Sequence, residues 1–282
     1  MTGRNLRPST QPMYSGGNLH DFKITSGYDT IDYSEFISSY VFNSECILVS
    51  QSMCDGFFSG IFANSKLYSP KPLLTLARRI TGDYEEDVRL FLDEHRKESK
   101  NVYSLAWDEK FGFGAIFMEG YGTEQVLLTS VKKVKKNWDD GLMITACTAR
   151  GMKFYIIMTK DTEEYRGKNQ RYITSDSWKG ANDEIQEGYR EGFALTGICY
   201  SSGLGKYLAV MTGSIGEQCF RWFETNKLKA MDDWEMNKHN QGFHPSIIFR
   251  DPTDSKTLIV MTKDKNRSQG FLRRVNYELK VV

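Results

Sequence analysis

Chemistry in a protein needs reactive side chains at workable spacing, and this chain offers few. Its four histidines are His20, His95, His239 and His244. None stands in an H-E-x-x-H pair or in a cysteine–histidine cluster of metal-ligand spacing. His239 and His244 flank Gly242, an arrangement open to metal pairing but equally served by a polar surface turn, which is the reading taken here. Gly203-Leu204-Gly205-Lys206 has the glycines and lysine of a phosphate loop without its spacing, and reads as a β-hairpin turn. The acidic pairs Asp139-Asp140, Glu163-Glu164 and Asp232-Asp233 lie in polar segments. Acid–base catalysis needs one carboxyl raised by burial, so these read as solvated charges. No G-x-S-x-G elbow occurs. The residues point to a non-enzymatic protein that uses no cofactor and no metal.

One charge run stands out: Lys132, Lys133, Lys135 and Lys136, around Val134 and just before Trp138. Lysines beside an apolar anchor can grip phosphates or an acidic protein surface. Val134 and Trp138 anchor the segment, so the lysines are expected to be held on a turn or strand end; a solvated connection between units is the competing account.

The elements that position these residues follow from a repeat. Trp138, Gly141 and Thr145 precede the apolar run that ends at Met158-Thr159. Tyr189, Gly192 and Thr196 stand in the same order before Met211-Thr212. His239, Gly242 and Ser246 do so before Met261-Thr262. Successive units begin about 50 residues apart, a period typical of stacked or radial supersecondary units. A unit without the aromatic-x-x-Gly signature is read from Asn101 to Met118, and a degenerate one near Glu45–Ser50, with Val49-Ser50 standing where Met158-Thr159 stand later. Glutamine-led strands follow each methionine, at Gln125, Gln170, Gln218 and Gln269. Short strands separated by turn residues suit a β-repeat or propeller blade. The glycine permits a tight turn or close approach, the aromatic packs on the adjacent unit, and the all-apolar runs suit strands covered on both faces.

The fold expected is therefore all-β: a propeller-like β-repeat domain of about five units, each of three or four strands. Residues 1–25 read as an extended arm and residues 26–282 as the repeat domain. A helical insertion is expected at about 71–100, where Tyr84, Val88, Phe91, Leu92 and His95 share one helix face. No helix is expected inside the later units.

Net charge is +1, which gives no global pull on nucleic acid or anionic membrane. No apolar run is long enough to span a bilayer. Five cysteines, none in a C-x-x-C pair, read as free thiols of a reducing compartment, hence a cytoplasmic protein.

The order aromatic, glycine, threonine, methionine strand and glutamine strand resembles the non-catalytic C-terminal domain of the plant casein-kinase-I-like kinases. The resemblance is carried by Trp138, Gly141, Thr145 and Met158 and by Tyr189, Gly192, Phe193, Thr196 and Met211; the third copy departs at His239 and Ser246. It covers roughly residues 100–280 and implies a β-repeat docking domain with no activity of its own. Glycine-rich loop, V-A-I-K-like lysine, H-R-D and D-F-G motifs are all missing from this sequence, so it is no kinase.

The function expected is a scaffold or structural component of a large cytoplasmic assembly. By analogy alone, a cytoskeletal or ciliary microtubule surface is the candidate attachment, with acidic tubulin as partner. One alternative is a lectin-like ligand-binding propeller using Trp107, Trp138 or Trp178 as stacking platforms, which would leave these aromatics exposed. Others are a regulatory module of a kinase complex and a hydrolase with a site in a central channel.

Overall fold

Three strands in this chain are apolar on both faces, and the architecture follows from how they are covered. In Lys153–Lys160, Lys206–Gly213 and Lys256–Lys263, six consecutive residues of each strand are buried. Each lies in the middle of its sheet, and burial on both faces requires other layers against either side. Fully burying each Ile156, Ile157 or Met158 contributes roughly 1.5–3 kcal/mol, so these strands are the chief apolar anchors.

The computed structural model describes residues 22–28, 46–54, 57–64, 78–80, 85–97, 100–108, 112–162, 165–224, 228–254, 256–263 and 275–279. The arm up to residue 21 and the glutamine strand at Gln269 lie outside them. Strands occur at Phe22–Tyr28 (β1), Cys46–Cys54 (β2), Phe57–Asn64 (β3), Arg78–Ile80 (β4), Lys100–Asp108 (β5) and Gly112–Glu119 (β6). Others are Gln125–Leu128 (β7), Leu142–Arg150 (β8), Lys153–Lys160 (β9), Gln170–Ser175 (β10) and Phe193–Ser201 (β11). The rest are Lys206–Gly213 (β12), Glu217–Glu224 (β13), His244–Arg250 (β14), Lys256–Lys263 (β15) and Val275–Leu279 (β16). Helices occupy Glu85–Arg96 (α1), Val134–Asp139 (α2), Trp178–Arg190 (α3) and Leu228–Asn240 (α4), with a 3-10 turn at Val131–Lys133 leading into α2.

The strands form five small sheets. Sheet 1 has the order β16-β1-β3-β2, sheet 2 β4-β6-β5, sheet 3 β7-β9-β8, sheet 4 β10-β12-β11 and sheet 5 β13-β15-β14. In sheets 2 to 5 the first and second strands in sequence both run antiparallel to the third, which lies between them. They are therefore parallel to each other, and consecutive parallel strands of one sheet need a crossover, which the helix supplies. β5 touches β2 and β8, β11 touches β8 and β14, and β14 also touches β2.

Several expectations change. Residues 22–25, assigned to the arm, open β1. The helix expected as an insertion is a regular element: α1 holds the same place in sheet 2 that α2, α3 and α4 hold in sheets 3, 4 and 5. The glutamine-led strands belong to the following sheet, since β7 pairs with β9 and β10 with β12. The unit is thus glutamine strand, helix, strand, strand. Phe117, not Met118, holds the Met158 place, because Val102 pairs with Phe117 as Ile144 pairs with Met158. In sheet 1 the strand at Cys46–Cys54 is the counterpart of β8, so Val49 stands where Thr145 does and not where Met158 does.

Each helix fills the space where two sheets meet. Val88 and Leu92 of α1 pack among Val102, Leu105 and Phe117 of sheet 2 and Tyr155 and Ile157 of sheet 3. Ala181 and Ile185 of α3 pack between sheet 4, at Leu195 and Met211, and sheet 5, at Ile247 and Val260. Val134 of α2 is fully buried in the cluster that joins sheet 3 to Leu208 and Val210 of sheet 4. Among the described residues no helix is long and apolar enough to cross a membrane.

The aromatic-x-x-Gly signature is the last turn of each helix. Gly141, Gly192 and Gly242 sit at φ 85°, 83° and 86°, and their amides donate to the carbonyls of Trp138, Tyr189 and His239. This left-handed residue after the helix is a standard stop. A Cβ at Gly192 would meet nothing within 4 Å, so the constraint there is the backbone alone. Gly192→Ala is expected to cost about 1 kcal/mol and Gly192→Val about 2 kcal/mol. Gly192→Asn should cost less than either, as asparagine tolerates this conformation. Urea unfolding of the three variants checks the order.

Candidate functional site

Each inner strand, β2, β5, β8, β11 and β14, carries a β-bulge at the same place, after Leu48, Val102, Ile144, Leu195 and Pro245. The inner strand is an edge strand, with a ladder on one side only. The backbone groups on its other side need partners. A glutamine from the next sheet supplies them. Gln125 of β7 accepts from Val102 N at 2.9 Å and donates to Val102 O at 2.9 Å. Gln170 of β10 does the same to Ile144 at 2.7 and 2.9 Å, and Gln218 of β13 to Leu195 at 2.7 and 2.9 Å.

The same amide nitrogen also reaches the threonine that follows the buried methionine in its own sheet. Gln125, Gln170 and Gln218 donate to Thr159, Thr212 and Thr262 at 2.8, 3.1 and 2.9 Å. Those hydroxyls in turn pair with the bulge residues Thr145, Thr196 and Ser246 at 2.8, 2.8 and 2.7 Å. Each bulge hydroxyl then donates to a carbonyl of the middle strand, of Ile157, Val210 or Val260. One polarity satisfies the whole chain: amide to threonine, threonine to bulge hydroxyl, bulge hydroxyl to carbonyl. The signature residues Thr145 and Thr196, and the threonines after Met158, Met211 and Met261, are thus linked in one device with the glutamines. Sequence reading found every member and missed the connection.

The boundary between sheets 5 and 1 is different. Pro245 faces Met261 where Ile144 faces Met158, and proline has no N–H to offer. Phe22 pairs with Ala63 at the register position of the glutamines. The link there is Arg250 N donating to Ser52 Oγ at 3.0 Å.

The bulges of β5, β8, β11 and β14 converge on a cavity of about 130 Å³, which β2 reaches through Gln51. Gln51, Tyr103, Thr145, Thr196 and Ser246 line it, one from each inner strand, with Tyr121, Tyr165 and Cys147. Its polar groups are hydroxyls, an amide and a thiol. A second cavity of about 310 Å³ is lined by Trp178, Trp222, Arg221, Glu224, Asp254 and Lys256 among others. Trp178 and Trp222 meet edge to face there at 4.8 Å, and Lys256 pairs with Asp254 at 2.6 Å.

The lysine run is helical, which corrects its placement on a turn or strand end. Ser130 caps the 3-10 turn by accepting from Lys132 N at 3.2 Å, and Val134 is the buried anchor. Lys132, Lys133, Lys135 and Lys136 are all exposed. Among the described residues none of the four forms an ion pair, and no acid stands in the first turn of either helical segment. Lys132 and Lys133 stand just before α2, where a cation opposes its dipole, whereas Lys136 lies in its last turn, where a cation suits it.

The remaining candidates are placed as follows. His95 stacks on Phe117 at 4.2 Å. His239 ends α4, and His244 opens β14. Gly203–Lys206 forms the turn between β11 and β12. Asp139 and Asp140 are exposed at the end of α2. Among the described residues no cluster of three or more His, Cys, Asp or Glu could hold a metal ion. Trp107 packs on Phe113 beneath Arg150, and Trp138 donates Nε1 to Gln170 at 3.2 Å. Tyr189 packs on Phe220 of sheet 5, the expected contact with the adjacent unit.

Gln125 is 3% exposed, and truncating it strands a buried N–H and a carbonyl and leaves the Thr159 hydroxyl with Thr145 alone. Gln125→Ala is expected to cost about 3 kcal/mol, since each unsatisfied buried group costs about 1–3 kcal/mol. Exposed Gln241→Ala should stay within about 0.5 kcal/mol. Chemical denaturation of both variants makes the comparison.

No protein-family model matches the chain, and no curated protein matches it.

Proposed function

We propose that the five sheets form a propeller-like ring and that the protein is a non-enzymatic scaffold, docking through α2 onto an acidic protein surface in a cytoplasmic assembly. The ring is supported by the order of the inner-strand contacts, each inner strand touching the next and β14 touching β2. Residues from both ends of the described chain, in β1 and β16, share sheet 1, which suits a ring joined at that blade.

The observation that carries the docking reading is the set of four exposed, unpaired lysines on α2 and the turn before it. None of the four has an internal ion-pair partner, and Lys132 and Lys133 stand where a cation opposes the dipole of α2, so an external anion is what accounts for them best. The acidic tails of a cytoskeletal or ciliary microtubule are the candidate surface. The threonines and glutamines of the repeat are engaged with one another, which leaves the outer helices as the variable, outward-facing parts.

A lectin-like reading called for exposed stacking platforms. Trp107 and Trp138 are engaged in packing and hydrogen bonding, which favours the scaffold. Trp178 and Trp222 at the larger cavity are the one place that favours a ligand. Quenching of tryptophan fluorescence by a neutral monosaccharide, lost in Trp222→Ala, would support that second reading.

Lys132, Lys133, Lys135 and Lys136 replaced together by glutamine should reduce co-sedimentation with microtubules while the melting temperature stays within a degree or so of wild type. Wild-type binding should weaken with rising salt, and on microtubules whose acidic tails have been cleaved by subtilisin. Undiminished, salt-insensitive binding by the quadruple variant would remove the proposal.

A further inference from the structure

Cys147 and Cys199 lie on β8 and β11, inner strands of sheets 3 and 4 that touch each other. Both side chains belong to the apolar cluster between those sheets, and Cys147 is close enough to act on the Cys199 thiol. Residue 197 on β11 makes the approach feasible. A Cβ at Gly197 would stand 3.2 Å from Cys147 Sγ, closer than most side chains tolerate. The two thiols differ in access: Cys147 is partly exposed and lines the cavity between the inner strands, whereas Cys199 is buried.

We propose that this pair is an oxidation site, in which hydrogen peroxide converts the two thiols to a disulfide that staples sheet 3 to sheet 4. Cys147 reacts first. It faces the cavity, through which a molecule as small as peroxide can reach it. Burial, with Cys147 beside it, pushes the Cys199 thiol well above its ordinary value. Cys199 therefore stays protonated near neutral pH, and a thiolate is the attacking species.

The steps balance. The Cys147 thiolate attacks one peroxide oxygen, the O–O bond breaks, and the departing hydroxide takes up a proton to leave as water. Cys147 is then a sulfenic acid. The Cys199 sulfur attacks the sulfenic sulfur, its proton passes to the leaving hydroxyl, the S–O bond breaks and a second water departs. Two thiols are oxidised by two electrons, and one peroxide is reduced to two waters. The product bonds two sheets that the Gln170 amide and the Ser201 hydroxyl also link, to Ile144 and to the Gly151 carbonyl.

The test uses the full chain, reduced, desalted, exposed to hydrogen peroxide and then blocked with an alkylating agent. Two of its five thiols should become unreactive, with a mass loss of two hydrogens and a linked peptide pair containing Cys147 and Cys199. Dithiothreitol should reverse all three changes. In Cys199→Ser the reaction should stop at a Cys147 sulfenic acid that dimedone traps. Peptide mapping of the wild-type chain decides the matter even if that variant folds poorly. Added oxygen without a linked pair, or linkage through Cys46, Cys54 or Cys219 instead, overturns the proposal.

Discussion

The rest of this structure depends on a glutamine amide taking the N–H and the C=O of a single residue in the neighbouring sheet. Three-stranded sheets of three to nine residues per strand are small, and each leaves an edge whose backbone groups face its neighbour. Apolar packing alone would hold such sheets together without fixing their rotation or offset. Gln125, Gln170 and Gln218 fix both, because an amide can satisfy donor and acceptor together only at one register. Each bond made adds about 1 kcal/mol, while each left unmade in the interior costs more. The clamp acts mainly by making every other arrangement worse.

Much of this was written visibly in the chain. The period, the paired-apolar strands, the left-handed glycines and the glutamine-led strands are all local, and local features survive in a linear string. What was misread is what depends on neighbours in space. Strand β7 follows β6 in sequence yet pairs with β9, and no residue within Gln125–Leu128 announces that choice. The helices of the later units were missed for separate reasons. Val134–Asp139 is barely two turns and dominated by lysine, so its apolar face is Val134 and Trp138 alone. Trp178–Arg190 does carry a face, Ala181 and Ile185, but beside strongly apolar strands it drew no attention. Met118 stands one residue past the equivalent place, and the methionines of the later units disguise this. The position requires only a large buried apolar side chain, and Phe117 fills it.

Polar residues divide into two populations here. Those of the repeat point inward and are used up by one another; Thr159, Thr212 and Thr262 are among the most buried groups in the protein. Charged residues collect on the helices and turns, where each unit is free to differ. That is why the candidate site shows as a departure from the repeat: α2 is the shortest of the four helices and carries the unpaired lysines. An interior that tolerates little change beside an exterior that tolerates much suits a frame adapted to particular partners.

The parallel pairing of β1 with β16 bears on how the chain reaches this state. During synthesis β1, β2 and β3 emerge before any of their neighbours, yet Phe22 pairs with Val275 near the other end of the described chain. The sheet made first is therefore the last completed. Throughout that interval the outer side of β1 is an unpaired edge, the kind of surface that recruits foreign strands. The clamped sheets can gather in order as they appear, each glutamine arriving just after the strand it holds. Sheet 1 has no such clamp toward sheet 5, with Pro245 and Phe22 in the relevant places. Its dependence on a contact so distant in sequence makes the final step slow relative to the others, and makes a chaperone's protection most useful to the chain's earliest strands.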